Sequence, residues 1–472
     1  MMKPNEARRL IALRKKKAEK RGVALIMVLG AITVLTVFLT ELQEDTSASL
    51  AAALADRDAL KAEYYARSAV NLSRLLIASE PKIRGQIGPV IGLLTGGLPP
   101  QIPVWQFSDM ILGPFNDQIA ASAFAGVSGL DLSAGKNLGL GGGGRFELKI
   151  IDEDSKINVN AAGREIMTQN RLSAQLLGLF IQPQYAPLFE GRDGDEQFSD
   201  APTRCGAIID WADSDPSAES QYTCDPANTA APSAASGEDN FYQTIGLDYV
   251  RKNASYDSLD ELRLVRGVDD TFWSTFIEPN SNDPTSRVMT VWGKPQINVN
   301  TAEPLALLGL ICGNSSQQTP SEVCINPEKA QSFIMGLSMV RQLLPGITPF
   351  PSKKSFTSAL KGQGMLGSIL SSMGVTPITL GVTDKVVQDQ IRVDSKVFSI
   401  YAEGVVPGYK KEMRLRIHAV VDFNAATNLG AQPPGTTPPG SPPPSTPTDP
   451  AMAAAQALQT DPLGTVIYFR IQ

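Results

Sequence analysis

The sequence predicts an α+β protein. A long N-terminal transmembrane and amphipathic helix is expected to pack on an antiparallel sheet that carries a large, mostly α-helical insertion. Three observations predict this. Residues 23 to 40 run for 18 positions without a charge, and from Glu41 the chain continues with no Gly or Pro until Pro81. Alternating strand patterns fall early, at 145 to 152, and late, at 396 to 404, 411 to 423 and 464 to 471. The stretch between them reads mostly as helices.

The start of the chain is basic. Residues 1 to 22 carry nine Lys or Arg against two acidic residues, so the rest holds about −13 of the net charge of −6. That asymmetry fits a leader kept at the cytoplasmic face of a membrane and a soluble acidic body on the far side. Eighteen apolar residues are close to the minimum for a hydrocarbon core and exceed most cleaved signal cores. The body that follows is too long for one core, so two or more packed units are expected.

Within the continuation, Ala62, Tyr65, Ala69, Leu72 and Leu76 recur at spacings of 3, 4, 3 and 4, the stripe of an amphipathic helix. Positions 23 to 79 would then form one rod of roughly 85 Å, half in lipid and half against a domain. Residues 81 to 144 are rich in Gly, Pro and Ile. Gly139, Gly141 and Gly144 formally satisfy GxGxxG, but they lead into a strand and not a helix, so the dinucleotide reading fails. A further strand is expected at 286 to 292, and a hairpin around Pro407-Gly408. Residues 431 to 450 read as a Pro-rich disordered insertion before the last strand.

The helical block is bracketed by a near repeat, KINVNAAGRE at 156 to 165 and QINVNTAEPL at 296 to 305. In each, the second Asn, or Thr301, is placed to cap the helix that follows. SLDELRLVRGVDDTFW at 258 to 273 reads as a helix, a turn at Gly267 and a second helix. Asp210, Asp213 and Asp215, followed by Glu238 and Asp239, cluster carboxylates near one loop. Calcium wants six to eight oxygens, which such residues supply without His, yet a solvated acidic loop fits the same residues. Asp193, Asp195 and Glu196 read as a plain exposed turn. Cys205 with Cys224 and Cys312 with Cys324 are close pairs that suggest two local disulfides, the alternative being four reduced buried thiols. His418 is the only histidine and sits in a strand, which removes Ser-His and Cys-His machinery; no enzyme is expected.

The basic leader ending at Gly22, the unbroken apolar helix and its amphipathic continuation resemble a type IV prepilin or pseudopilin. That resemblance implies cleavage by a prepilin peptidase between Gly22 and Val23, N-methylation of the new terminus, and a retained helix used in assembly. Members mostly carry Glu at the fifth residue after the cut, where this chain has Met27. A carboxylate in lipid needs a partner, so its absence suggests a subunit with none above it.

IDWADSDPSAES at 209 to 220, SGEDNFYQ at 236 to 243, SLDELRLVRGV and INVNTAEPL, in that order, resemble the K-type minor pseudopilins of type II secretion systems (general secretion pathway protein K). The resemblance spans about 20 to 423. It implies a tip subunit of a periplasmic pseudopilus, partners among the I and J minor pseudopilins, calcium in the acidic block, and contacts with secreted substrates or the outer-membrane secretin. It implies a single pass through the inner membrane with the body in the periplasm. The divisions expected are a leader, 1–22; the helix, 23–80; the first part of the sheet domain, 81–155; the insertion, 156–285 and 286–395; and the last strands, 396–472. A membrane-anchored helix-hairpin-helix DNA-binding protein and a minor pilin of a related type IV pilus are the alternatives. The acidic body and Asp269-Asp270 beside Gly267 oppose nucleic acid, which Arg263 and Arg266 do not offset.

Overall fold

One helix, α1 (Pro4–Thr95), takes up the first fifth of the chain. The computed structural model describes residues 4–95, 101–116, 143–194, 196–214, 224, 240–281, 283–316, 318–343, 346, 348–408, 411–427 and 461–472. The Pro-rich segment 431–450 lies outside these. From Val23 to Ala53 every residue of α1 is exposed. After Val23 the first buried side chain is Asp58, and the predicted stripe then closes: Ala62, Tyr65, Ala69 and Leu76 are buried. The helix outlasts its expected end. It runs through Pro81 to Thr95, although an interior proline removes a hydrogen bond and costs about 3 kcal/mol. Tertiary contacts offset this: the buried Glu80 carboxylate accepts the Ile102 N–H at 2.9 Å, and Ile83 packs on the same core as Ile77 and Trp105.

The sheet has four antiparallel strands in the order β1 (Arg145–Asp152), β6 (Val397–Pro407), β7 (Glu412–Asp422), β8 (Thr465–Ile471). The expected hairpin joins β6 to β7, with Pro407 opposite Glu412. Alternation gives the sheet two unlike faces. Phe398, Ile400 and Ala402 with Ile417, Ala419 and Val421 form the core under α1. The other face carries Ser399, Tyr401 and Glu403 opposite Val420, His418 and Arg416.

The strand expected at 286 to 292 is a correction. Only β3 (Met289–Thr290) forms, and it pairs in parallel with β2 (Ile157–Asn158), outside the main sheet. The near repeat explains this. Its second copy makes β4 (Ile297–Asn298), which pairs in parallel with β5 (Ile391–Arg392). Each copy leads into a helix, α2 (Ile166–Phe180) and α4 (Pro304–Gly313), with α3 (Ala201–Ala212) between them.

The asparagines do not cap those helices as expected. The caps are Glu165 and Glu303, neither with a side-chain cap bond. Asn158 and Asn298 instead accept the N–H two residues on. Asn160 accepts Tyr256 N–H and donates to Tyr256 and Val291 carbonyls. Asn300 does the same to Phe350 and Val393. Each Asn clamps two distant backbones, satisfying groups that would otherwise be buried without partners. The two repeat helices meet backbone to backbone: a methyl on Gly178 would overlap the Gly309 carbonyl, and one on Gly313 the Ala174 carbonyl.

Candidate functional site

Three places could carry function: the projecting half of α1, the joint between sheet and helical block, and the acidic end of α3. The sequence names the first. Gly22 and Val23 lie inside the continuous α1 backbone, and Val23 and Met27 are 52% and 69% exposed. Among the described residues one helix is long and apolar enough to cross a membrane, and none of its most apolar stretch is buried by the body. Val-, Leu- and Ile-rich surface left open over five turns is not a surface water tolerates. The same rod is anchored below by exact fit, since Gly404 of β6 leaves no room for a side chain against Ala62 of α1.

The joint was not legible beforehand. Residues 152 to 156, from the last position of the expected strand into the start of the repeat, form a buried polar knot. The Asp152 carboxylate binds the Thr301 and Ser395 hydroxyls, and Asp154 accepts the Lys396 and Val397 N–H groups at 2.6 and 3.1 Å beside Arg392. Glu153 pairs with Lys156 at 3.2 Å and accepts the Thr290 hydroxyl. These groups tie β1 to β3, to the second repeat and to the start of β6. Burial, with the neighbouring Asp154, pushes Asp152 up to about 7. Beside the knot a cavity of about 430 Å³ opens between the sheet and the block. Tyr401 stacks on His418 at 4.1 Å, with Tyr468 and Trp292 continuing the aromatic row. Burial pushes the His418 imidazole down to about 4, so it is neutral at ordinary pH.

At the acidic end, Asp210 and Asp213 are both buried, in the last turn and at the C-cap of α3. Gln169 donates to Asp213 at 3.0 Å. Asp215, Glu238 and Asp239 lie outside the described residues, and among the described residues no group of three potential ligands assembles. These two carboxylates lie at the negative end of the α3 dipole, and the last turn of α3 holds no basic residue. Both disulfides are present: Cys205–Cys224 ties α3 to the far side of this loop, and Cys312–Cys324 ties α4 to the next helix. Asp193 is not the exposed group expected of its turn: it is buried, and its carboxylate accepts the Gln197 N–H. Glu196 is exposed with positive φ, and Asp195 lies outside the described residues.

The helix-hairpin-helix-like segment folds as expected in outline. A 3-10 helix, Leu259–Leu264, replaces the expected α-helix, Gly267 takes φ +76°, and Asp269 caps the next turn through the Phe272 N–H. Its cations are engaged within the chain. Arg263 pairs with Asp270 and stacks over Trp273 at 3.9 Å, and Arg266 stacks over Phe241. Neither is presented as a free phosphate ligand.

No family model and no curated protein matches the chain. Among solved structures it is similar to the complex of GspK, GspI and GspJ from the type 2 secretion system of enterotoxigenic Escherichia coli. The identity is 14%, the match covers 70% of this chain and 80% of that chain, and the TM-score is 0.38. That overlay is too loose to assign residues.

Proposed function

We propose that the protein is a K-type minor pseudopilin of a type II secretion system, placed at the tip of a periplasmic pseudopilus. The observation that supports it is the continuity of α1: one helix passes from an uncovered apolar span, through an exposed stretch rich in Ala and charged residues up to Ala53, into a face packed on the sheet. An ordinary anchor needs no such rigid coupling, whereas a filament subunit uses one helix both to sit in the membrane and to meet its neighbours. The span holds the chain in the inner membrane until a prepilin peptidase cuts after Gly22 and the new terminus is methylated. The bare stretch then packs with I- and J-type partners, and the major pseudopilin adds from below. Met27 brings no buried carboxylate that a subunit above must neutralise. The acidic helical block faces outward as a cap toward secreted substrate and the secretin, and calcium held near Asp210 and Asp213 firms its loop. The role is mechanical, with no catalytic step.

Single cysteines at Ala52 and Ser49, both exposed, test the packing in native membranes. Disulfide crosslinks to minor-pseudopilin partners, with secretion lost when the gene is deleted, support the reading. Normal secretion without the protein, and no crosslinks, would remove it.

A further inference from the structure

Against the first three turns of α2 lies a cavity of about 420 Å³, closed by residues 294 to 296 ahead of β4 and by the end of the Asp384–Gln390 helix. Nothing in the pseudopilin reading uses it. Thr168 and Gln175, two turns apart on one face of α2, both line it at 6% and 3% exposure. Neither the Thr168 hydroxyl nor the Gln175 amide hydrogen-bonds any described residue, whereas nearby Gln390 is fully engaged in a two-way amide pair with Asn314. Their polar atoms are therefore open to the cavity, where water or a guest can answer them in place of the protein. A guest in the cavity would answer both.

The charge at its mouth says what kind of guest. Arg164, Arg171 and Lys294 line the cavity, and none forms an ion pair among the described residues. Arg164 reaches only the Gly293 carbonyl, at 3.4 Å, and Arg171 only the Met167 sulfur, at 3.5 Å. Two acids share the rim, Glu165 and Asp389. Asp389 is already answered by Lys385 at 3.0 Å, whose ammonium, with Arg171 and Lys353 adding, holds that carboxyl below its usual range. Three arms without carboxylate partners on a body of about −13 run against the charge of their surroundings. The N-terminus of a 15-residue helix without a side-chain cap adds partial positive charge in the same place.

We infer that this cavity binds a small multivalent oxyanion, bearing carboxylates or phosphate. Thr168 and Gln175 donate to it at the floor, and Arg164, Arg171 and Lys294 close on it at the mouth. The space exceeds that of one tetrahedral ion, so a ligand with a compact polar body fits better than a bare anion.

Calorimetric titration of the full-length protein in detergent and a chloride buffer, with citrate in one series and inorganic phosphate in the other, tests this. The expected result is saturable one-site binding of at least one of them, weakened about tenfold or more by Thr168→Val, Gln175→Leu or Lys294→Gln. Arg414→Gln, on the sheet, should leave it unchanged. Tighter binding of citrate identifies carboxylates as the recognised chemistry, and tighter binding of phosphate identifies phosphate. Lys294 is exposed, so its variant reports even where a buried substitution fails to fold. No saturable heat at millimolar concentrations of either anion, or equal affinity in all variants, overturns the inference.

Discussion

Gly404 of β6 and Ala62 of α1 touch backbone to backbone: a methyl on Gly404 would overlap the Ala62 carbonyl. The rod and the sheet are held at one spacing by the absence of a side chain. Gly404→Val should therefore push α1 off the sheet and cost about 1–3 kcal/mol or more, as overpacked sites do. Thermal unfolding of the body checks it. A glycine placed in the open, such as Gly374 with no atom within 4 Å, offers no such overlap, though its φ of +85° adds backbone strain of its own.

The disulfide Cys312–Cys324 closes a short loop, 12 residues apart. Replacing both cysteines with Ala should lower stability by about 3 kcal/mol, on the loop-entropy relation. Chemical denaturation of the variant and of the native protein measures the difference. Reducing agent should destabilise the native protein by more than it destabilises the double variant, which keeps only Cys205–Cys224.

His418 supplies a pH signature. Its folded value, near 4, lies below the ordinary 6.5 through burial, with Glu153 opposing and Arg287, Lys156 and Arg470 reinforcing the shift. The unfolded chain thus binds more protons between those values, and stability from this group rises with pH across that window. The full effect is at most about 3 kcal/mol, less for the part of the ring that solvent reaches. Asp152, raised to about 7 from 3.8, works in the opposite sense, since its folded form keeps the proton longer. Denaturation of His418→Gln between those pH values should show a slope shifted downward relative to the native protein.

If the proposed calcium binds near Asp210 and Asp213, it should show as linkage. A chelator is expected to lower the melting temperature, by an amount worth about 2.7 kcal/mol if calcium stands at a hundred times its dissociation constant. Asp210→Asn with Asp213→Asn should melt alike with and without chelator. Equal melting of the native protein in both conditions contradicts the assignment.

The parts of the fold that follow one period were legible. The stripe from Ala62 to Leu76 and the alternation in β6 and β7 each report a single face meeting a single neighbour. What was hidden depends on pairings between distant segments. Val291 and Trp292 looked like strand residues, yet only Met289 and Thr290 pair, because the repeat needs a short parallel bridge there. Asn160 and Asn300 looked like caps because Asn before a helix usually is one, but the backbones they clamp lie up to 131 residues away. The Asp152–Lys156 knot and the Thr168–Gln175 cavity were invisible for the same reason. Burial of a polar side chain is decided by what arrives from elsewhere in the chain.

The central claim is that the apolar half of α1 is an assembly helix released from its leader. The most direct measurement is the N-terminal residue and intact mass of the protein extracted from its native inner membrane. The account predicts a chain starting at Val23 and carrying one methyl group. A chain that still starts at Met1 would contradict it and leave a simple membrane-anchored protein.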